Sequence, residues 1–448
     1  MIQKGDKKVI RGWVMYDWAN SAYNLVISSA IFPIFYEANT RAHYAESIGV
    51  TDLKSIDPND VTVDFFGLNV SPSVLYSMVI SFSFLLVSFF SPLLSGIADY
   101  TGDKKRFLQF FCYLGAFACT TLFFFDASRI ELGMLSVLFA SVGFWNSLVF
   151  YNSFLPEIAD KSEHDRISAR GFIMGYIGSM TCLVICLAMI MGIGKELTKY
   201  SFLLVGVWWL GFAQITYSVL PNNIHRRKPE KGYIWRGFRE LKKVFKEFQQ
   251  TNRLKKYLRA FFFFNTGVQT VMLMATIFAS KAIKWPGDSG TTGLIIAILL
   301  IQILGAIGAR IMSELAMKIG NIVTLLGAVI FWIGICACAY IIETPTEFYM
   351  LAAAVGLVMG GVQATARSTY SKFLPETTDT ASYFSFYDAT EKIGIVLGTA
   401  FFGAMEYFFE NIRYSVFSVA AFFVIGIIFL VLVPKNEIEL KPIKIDEL

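Results

Sequence analysis

Charge is scarce in this 448-residue chain: Asp, Glu, Lys and Arg together make up only 16% of it. A soluble chain carries roughly 25%, so the two or three soluble domains that the length alone suggests are excluded. Histidine is nearly absent, with 3 residues scattered through connecting segments, which suggests no catalytic set. The six cysteines, Cys112, Cys119, Cys182, Cys186, Cys336 and Cys338, lie in apolar runs without a His or carboxylate cluster beside them. They read as small core residues rather than metal ligands, and Cys336 and Cys338 are too close for a CxxC motif. A Walker A pattern is missing, so ATP hydrolysis is not supported. No nucleophile with a base falls at membrane depth, so neither an enzyme nor a cofactor is expected. The N-terminus "MIQKGDKKVIRGW" is basic, but the apolar run continues past Asp17 without a small-residue cleavage site, and no signal peptide is expected. The final "IDEL" departs from an ER-retention tetrapeptide at its first residue and is taken as chance.

What the chain has is apolar length. It is 55% hydrophobic and 16% aromatic, with 43 Phe and a mean hydropathy of +0.55. That describes an all-α polytopic membrane protein. A bilayer core takes about 20 apolar residues per helix, and twelve segments qualify: 13–36, 73–95, 107–126, 132–154, 171–193, 200–220, 260–280, 291–312, 322–342, 348–371, 384–405 and 414–433. Alternate connections divide the Lys and Arg unequally, thirty on the side of both termini and eight on the other. The positive-inside rule then places both termini in the cytoplasm. The long segment 221–259 holds thirteen of those cations against Glu230, Glu240 and Glu247. Within it Ile234, Phe238, Leu241, Phe245 and Phe248 recur at steps of four and three. That predicts an amphipathic helix on the anionic inner leaflet, more readily than a calmodulin or nucleic-acid target. The chain therefore divides into a six-helix half at 1–220, a basic linker at 221–259 and a second six-helix half at 260–448.

The halves repeat one another. "YNSFLPE" at Tyr151–Glu157 matches "YSKFLPE" at Tyr370–Glu376, and "IADYTGD" at Ile97–Asp103 loosely matches "LAMKIGN" at Leu315–Asn321, at nearly one offset. Two six-helix repeats joined by a basic linker are the architecture of the major facilitator superfamily. "GIADYTGDKKR", Gly96–Arg106, resembles that superfamily's signature loop. The resemblance implies that Asp99, between Gly96 and Gly102, together with Lys104, Lys105 and Arg106 after them, latches the halves on the cytoplasmic side. A carboxylate brought to a helix N-terminus is attracted by its dipole. The second-half copy keeps only Gly320 and Lys318, so a symmetric latch is not expected. "YDWANSAY", Tyr16–Tyr23, is similar to the hallmark of the autophagy-related vacuolar amino-acid effluxers and their bacterial relatives, over the whole chain. It implies amino-acid export across a bacterial cytoplasmic membrane.

Charge within a membrane is costly and usually functional. Spans three, six, nine and twelve have no ionisable group well inside their boundaries, which suits peripheral helices. Span one carries Asp17, Asn20, Tyr23 and Asn24, the two amides and the acid falling on one helical face. Span four adds Trp145 and Asn146, span seven Asn265 and Gln269, span ten Gln363. These are the candidate substrate contacts. Span eleven carries Asp388, Glu391 and Lys392. One ammonium cannot easily satisfy both acids, which leaves one of them as a candidate proton carrier. Arg310 and Glu314, four residues apart on span eight, read as a gate or structural pair, and Arg367 as a cytoplasmic gate residue or a snorkelling cation.

These residues suit a secondary transporter of a small polar solute working by alternating access. The partners expected are that solute, lipid and protons, with no nucleic acid, and the chain is expected to act as a monomer. Amides bind both an ammonium and a carboxylate, which fits an amino acid; a nucleoside, sugar or peptide is the alternative, and a channel or membrane enzyme fits less well.

Overall fold

The computed structural model describes residues 4–52, 56–57, 60–222, 233–287 and 289–435. The "IDEL" terminus, linker residues 223–232 and the Ile234 side chain lie outside the described residues. In chain order the helices are α1 Lys7–Ala22, a π-helical stretch Tyr23–Ala30, α2 Ile31–Ser47, α3 Pro72–Thr101, α4 Lys104–Thr121 and α5 Ile130–Ser153. They continue with the short α6 Leu155–Ile158, then α7 His164–Gly192, α8 Thr198–Val219, α9 Tyr233–Gln250, α10 Asn252–Ala282 and α11 Gly290–Ile319. The chain ends with α12 Asn321–Ile341, α13 Pro345–Phe373, α14 Thr380–Phe409 and α15 Ile412–Val431. Local chemistry starts several of them. Pro72 opens α3 at a position whose N–H has no helical partner. Thr344 and Glu347 close a capping box at the start of α13.

Among the described residues, 11 helices are long and apolar enough to cross a membrane. The twelfth crossing is the unbroken run Lys7–Ser47. Its polar stripe costs it hydropathy, not helicity. It also runs well past the expected end at 36, because Tyr36, Thr40 and Ala45 find buried places beyond the apolar segment. A hairpin follows, β1 Val63–Phe65 paired antiparallel with β2 Leu68–Val70. Phe66 and Gly67 both take positive φ at its turn.

Two apolar cores form. Trp13, Tyr16, Phe32, Phe150 and Trp209 anchor the first, among α1 to α8. Tyr257, Phe264, Trp332, Tyr370 and Phe423 anchor the second, among α10 to α15. Five cysteines are buried as expected, but Cys338 is exposed, on the outer face of α12. His164 is not a loop residue either: it begins α7 and is buried.

Helix α9 is not a free surface helix. Its stripe Gly237, Leu241, Val244 and Phe248 turns toward the bundle, with Val244 and Phe248 buried. Gly237 meets the end of α3 in backbone contact: a Cβ on Gly96 would lie 2.4 Å from the Gly237 carbonyl oxygen. Phe245 and Phe248 pack on Phe386 of α14. The apolar residues expected on one lipid face are thus divided, with Phe238 and Phe245 left outside.

Candidate transport site and its gates

A polar cavity of about 190 Å³ lies between the two cores. Asp17, Asn20 and Asn24 all line it from the first helix, and Trp145, Asn265, Gln269, Gln363, Arg367 and Glu391 line it from α5, α10, α13 and α14. Asn20 Nδ2 has no hydrogen-bond partner in the structure. Tyr23 and Asn146 do not reach this space. The Tyr23 ring packs at a tilt against Phe144 and Trp209 in the first core. Asn146 is buried with its Nδ2 donating to the Val142 carbonyl of its own helix, 3.0 Å away, and its Oδ1 without a partner. The sequence reading omitted Asn152, Tyr176, Ser179 and Gln302, which also line the cavity. Gln302 was findable as a lone amide inside the apolar run of α11. Tyr176 donates to Gln363 (3.1 Å), and Ser179 to Gln302 (3.4 Å), joining the halves at mid-depth.

The floor is an ion pair between halves. Both terminal nitrogens of Arg367 lie 3.2 Å from Asp17 Oδ2, which also accepts from the Tyr151 hydroxyl at 2.8 Å. Arg367 donates further to Ser168 Oγ, the Ser168 carbonyl and Asn152 Oδ1. Its guanidinium lies over Phe172 at 4.3 Å. A buried guanidinium with that many acceptors does not snorkel.

Beside the cavity, behind Glu391 and Trp145 of its lining, Lys392 is fully buried, 2.9 Å from Asp388 and 3.4 Å from Glu391. The ammonium reaches both acids, Asp388 more closely than Glu391. It also sits 3.5 Å over the Trp145 ring, a cation–π contact across the halves. Glu391 accepts from Gln269, while Asp388 Oδ2 has no partner.

Below the floor, on the side of α9 and the chain ends, two loop-to-helix latches close the bundle. The amides of Ala381 (3.2 Å) and Ser382 (2.7 Å), in the first turn of α14, donate to Asp99. Lys104 joins the assembly, 3.0 Å from Asp99 and 2.5 Å from Glu157, and donates to the Thr378 carbonyl and Thr380 Oγ1. Gly102 ends α3 at φ 78°, a left-handed cap that a side chain would strain. Lys105 and Arg106 take no part. Lys105 donates to the Leu220 carbonyl in its own half, and Arg106 is exposed beside Asp103. Gly96 makes room for α9 rather than for the opposite half.

The second latch was not expected. Asp165, in the first turn of α7, pairs with Lys372 and accepts 2.6 Å hydrogen bonds from Asn321 Nδ2 and Ser368 Oγ. Arg310 and Glu314, by contrast, form an exposed pair within α11, 3.1 Å apart, the structural alternative of the two expected for them.

Two six-helix cores around a polar cavity, shut at one end by latches between them, define a transporter of the major facilitator type. The fold matches FucP, a major facilitator superfamily transporter in the outward conformation, with a TM-score of 0.66 at 14% identity, covering 96% of this chain and 99% of that one. It also matches a bacterial homologue of the iron transporter ferroportin in an outward-facing state, with a TM-score of 0.63 at 12% identity over 95% and 98% of the two chains. Residues 5–438 match the vacuole effluxer Atg22-like family, and the chain belongs to it. An uncharacterized MFS-type transporter of Bacillus subtilis, YxiO, is 30% identical over 95% of this chain and 94% of its own length. Autophagy-related protein 22 of Coccidioides immitis is 22% identical over 91% and 83%. These relatives and neighbours point to transport rather than to an enzyme.

Proposed function

We propose that this chain is a secondary active transporter of a small zwitterionic solute, an amino acid, at a bacterial cytoplasmic membrane. The linker side is cytoplasmic, and the arrangement described here is the cytoplasm-closed state of an alternating-access cycle. The observation that carries this reading is the cavity between the halves. It holds a cation and acids near its floor and its wall, with amides between them. Arg367 suits a carboxylate. Glu391 and the amide oxygens of Asn20 and Gln363 suit an ammonium. The family's description as vacuole effluxer-like supports export as the direction.

Protons are the proposed coupling ion. With both acids ionised, the Asp388–Glu391–Lys392 group carries one net negative charge in a buried place; one proton makes it neutral. Glu391 lines the cavity and Asp388 does not, so Glu391 is the acid that substrate and water reach.

The test uses purified protein in liposomes. Glu391→Gln is expected to abolish transport driven by a pH gradient and to spare exchange between amino-acid pools, which moves no net proton. Asn24→Ala should weaken both. Full pH-driven transport by Glu391→Gln would remove the coupling role. Ohmic current in place of counterflow would make the protein a channel.

A further inference from the structure

Helix α9 carries four different faces. Gly237, Leu241, Val244 and Phe248 meet the bundle. Next around the helix come Phe245, Phe238 and Trp235, 49%, 51% and 72% exposed. Beside and behind these aromatics stand the exposed cations Lys242, Lys246 and Arg239. The remaining flank is closed by Glu240 and Glu247 around Lys243, which lies 3.6 Å from Asp379 at the start of α14. The first face rests on the end of a membrane-crossing helix, at Gly96 and Ile97 of α3. The aromatic and basic faces therefore stand at the end of a membrane-crossing helix and are largely open, Phe245 touching Phe386 with one edge only. Aromatic rings followed by cations is the order in which an interfacial helix meets acyl chains and then acidic headgroups. The acidic flank faces the bundle's own loops, so the helix is not simply basic all round.

The same helix touches both halves. It packs closely on α3 of the first, and through Lys243 and the Phe386 contacts it reaches α14 of the second, beside the Asp99 latch. We propose that α9 is a clamp operated by anionic lipid. Acidic headgroups hold its outer face, and its inner face then braces α3 against α14 in the closed arrangement. An acidic leaflet would raise the closed fraction, whereas a neutral leaflet would leave α9 free to lift away. This rests on the alternating-access reading above, with the linker side facing the acidic leaflet.

The experiment uses the full chain in vesicles of phosphatidylcholine alone or with phosphatidylglycerol added. Spin labels at Arg106 and Glu376, exposed on opposite halves of the linker side, report the separation. The closed-to-open ratio should rise with phosphatidylglycerol and fall back at high salt. Replacing Arg239, Lys242 and Lys246 by Gln should shrink that lipid response by roughly tenfold. Gly237→Leu keeps the outer face intact and lifts the inner one, so it too should lose the response. Label distances that change with Asp99→Asn but not with phosphatidylglycerol overturn the clamp alone. An equal response in wild type and the triple Gln variant also overturns it. Distances that move with neither overturn the alternating-access reading together with the clamp.

Discussion

The loop after α3 and the loop after α11 hold equivalent places in the two halves, and each grips a helix start in the other half. They do so with opposite polarity. In the first, the acid belongs to the loop side: Asp99 receives two amides of α14, and Lys104 bridges it to Glu157. In the second, the turn into α12 supplies only Asn321, the first residue of that helix, and the acid, Asp165, stands on the gripped helix α7 itself, with Lys372 of α13 as its cation. The two meeting places correspond, but one is held by a carboxylate facing two backbone amides and the other by a carboxylate facing an ammonium and an amide side chain.

The two latches differ in depth, and that sets the order of their effects. Asp99 and Lys104 are almost wholly buried, whereas the Lys372 side chain is 21% exposed. Asp99→Asn should therefore have the larger effect. It removes charge-assisted bonds to two amides and leaves Lys104 with one acid, a loss of about 1.5–3 kcal/mol. The closed-to-open ratio should fall by roughly 10- to 150-fold, read as lost cross-linking between cysteines placed across the linker side. Arg106→Ala, outside the latch, serves as the control and should leave cross-linking intact. If Asp99→Asn leaves both cross-linking and transport unchanged, the first latch holds nothing.

Asp165→Asn should come second. Water reaches Lys372 and can replace part of the lost pairing, so about 1 kcal/mol is expected, roughly a fivefold change. An effect larger than that of Asp99→Asn would reverse the comparison. The double variant should show the two losses adding, since the latches share no partner.

The spans were readable because a bilayer demands long apolar helices, and the first latch because Gly96–Arg106 resembles the signature loop of the major facilitator superfamily. The second latch was not readable. Asp165 looks like one more acid in a charged connection, and its partners Asn321, Ser368 and Lys372 lie more than 150 residues away. The cavity was legible as a stripe, Asp17, Asn20 and Asn24, but not Tyr23's departure from it. In an even helix Tyr23 and Asn24 lie on either side of the Asn20 direction, so period alone does not choose between them. The π-helical stretch beginning at Tyr23 changes the register, and the ring goes to Phe144 and Trp209. Asn152 and Ser168 escaped for another reason: their value lies in Arg367, which folding brings from the other half.

A last effect concerns pH, and it originates beside the first latch but is felt at both. Asp379, the residue before α14, is pushed up to about 6 by burial and then by the nearby Asp99 and Glu240; Lys243 and Lys104 pull the other way. When the linker side opens, water reaches this carboxyl and its value returns toward about 4. The closed state therefore holds the proton more tightly. Closure gains nothing further below about pH 4, where both states are protonated. It weakens as pH rises from about 4 to 6, and is level above that. Lowering pH from 7 to 5 should raise the closed-to-open ratio several-fold, at most about tenfold per pH unit within that window. Asp379→Asn should flatten this window at the first latch. A label pair across the Asp165–Lys372 contact should report the same slope in wild type and lose it in Asp379→Asn, because the halves close as one body. If the slope survives Asp379→Asn, another group titrates, and Asp379 serves only as the partner of Lys243.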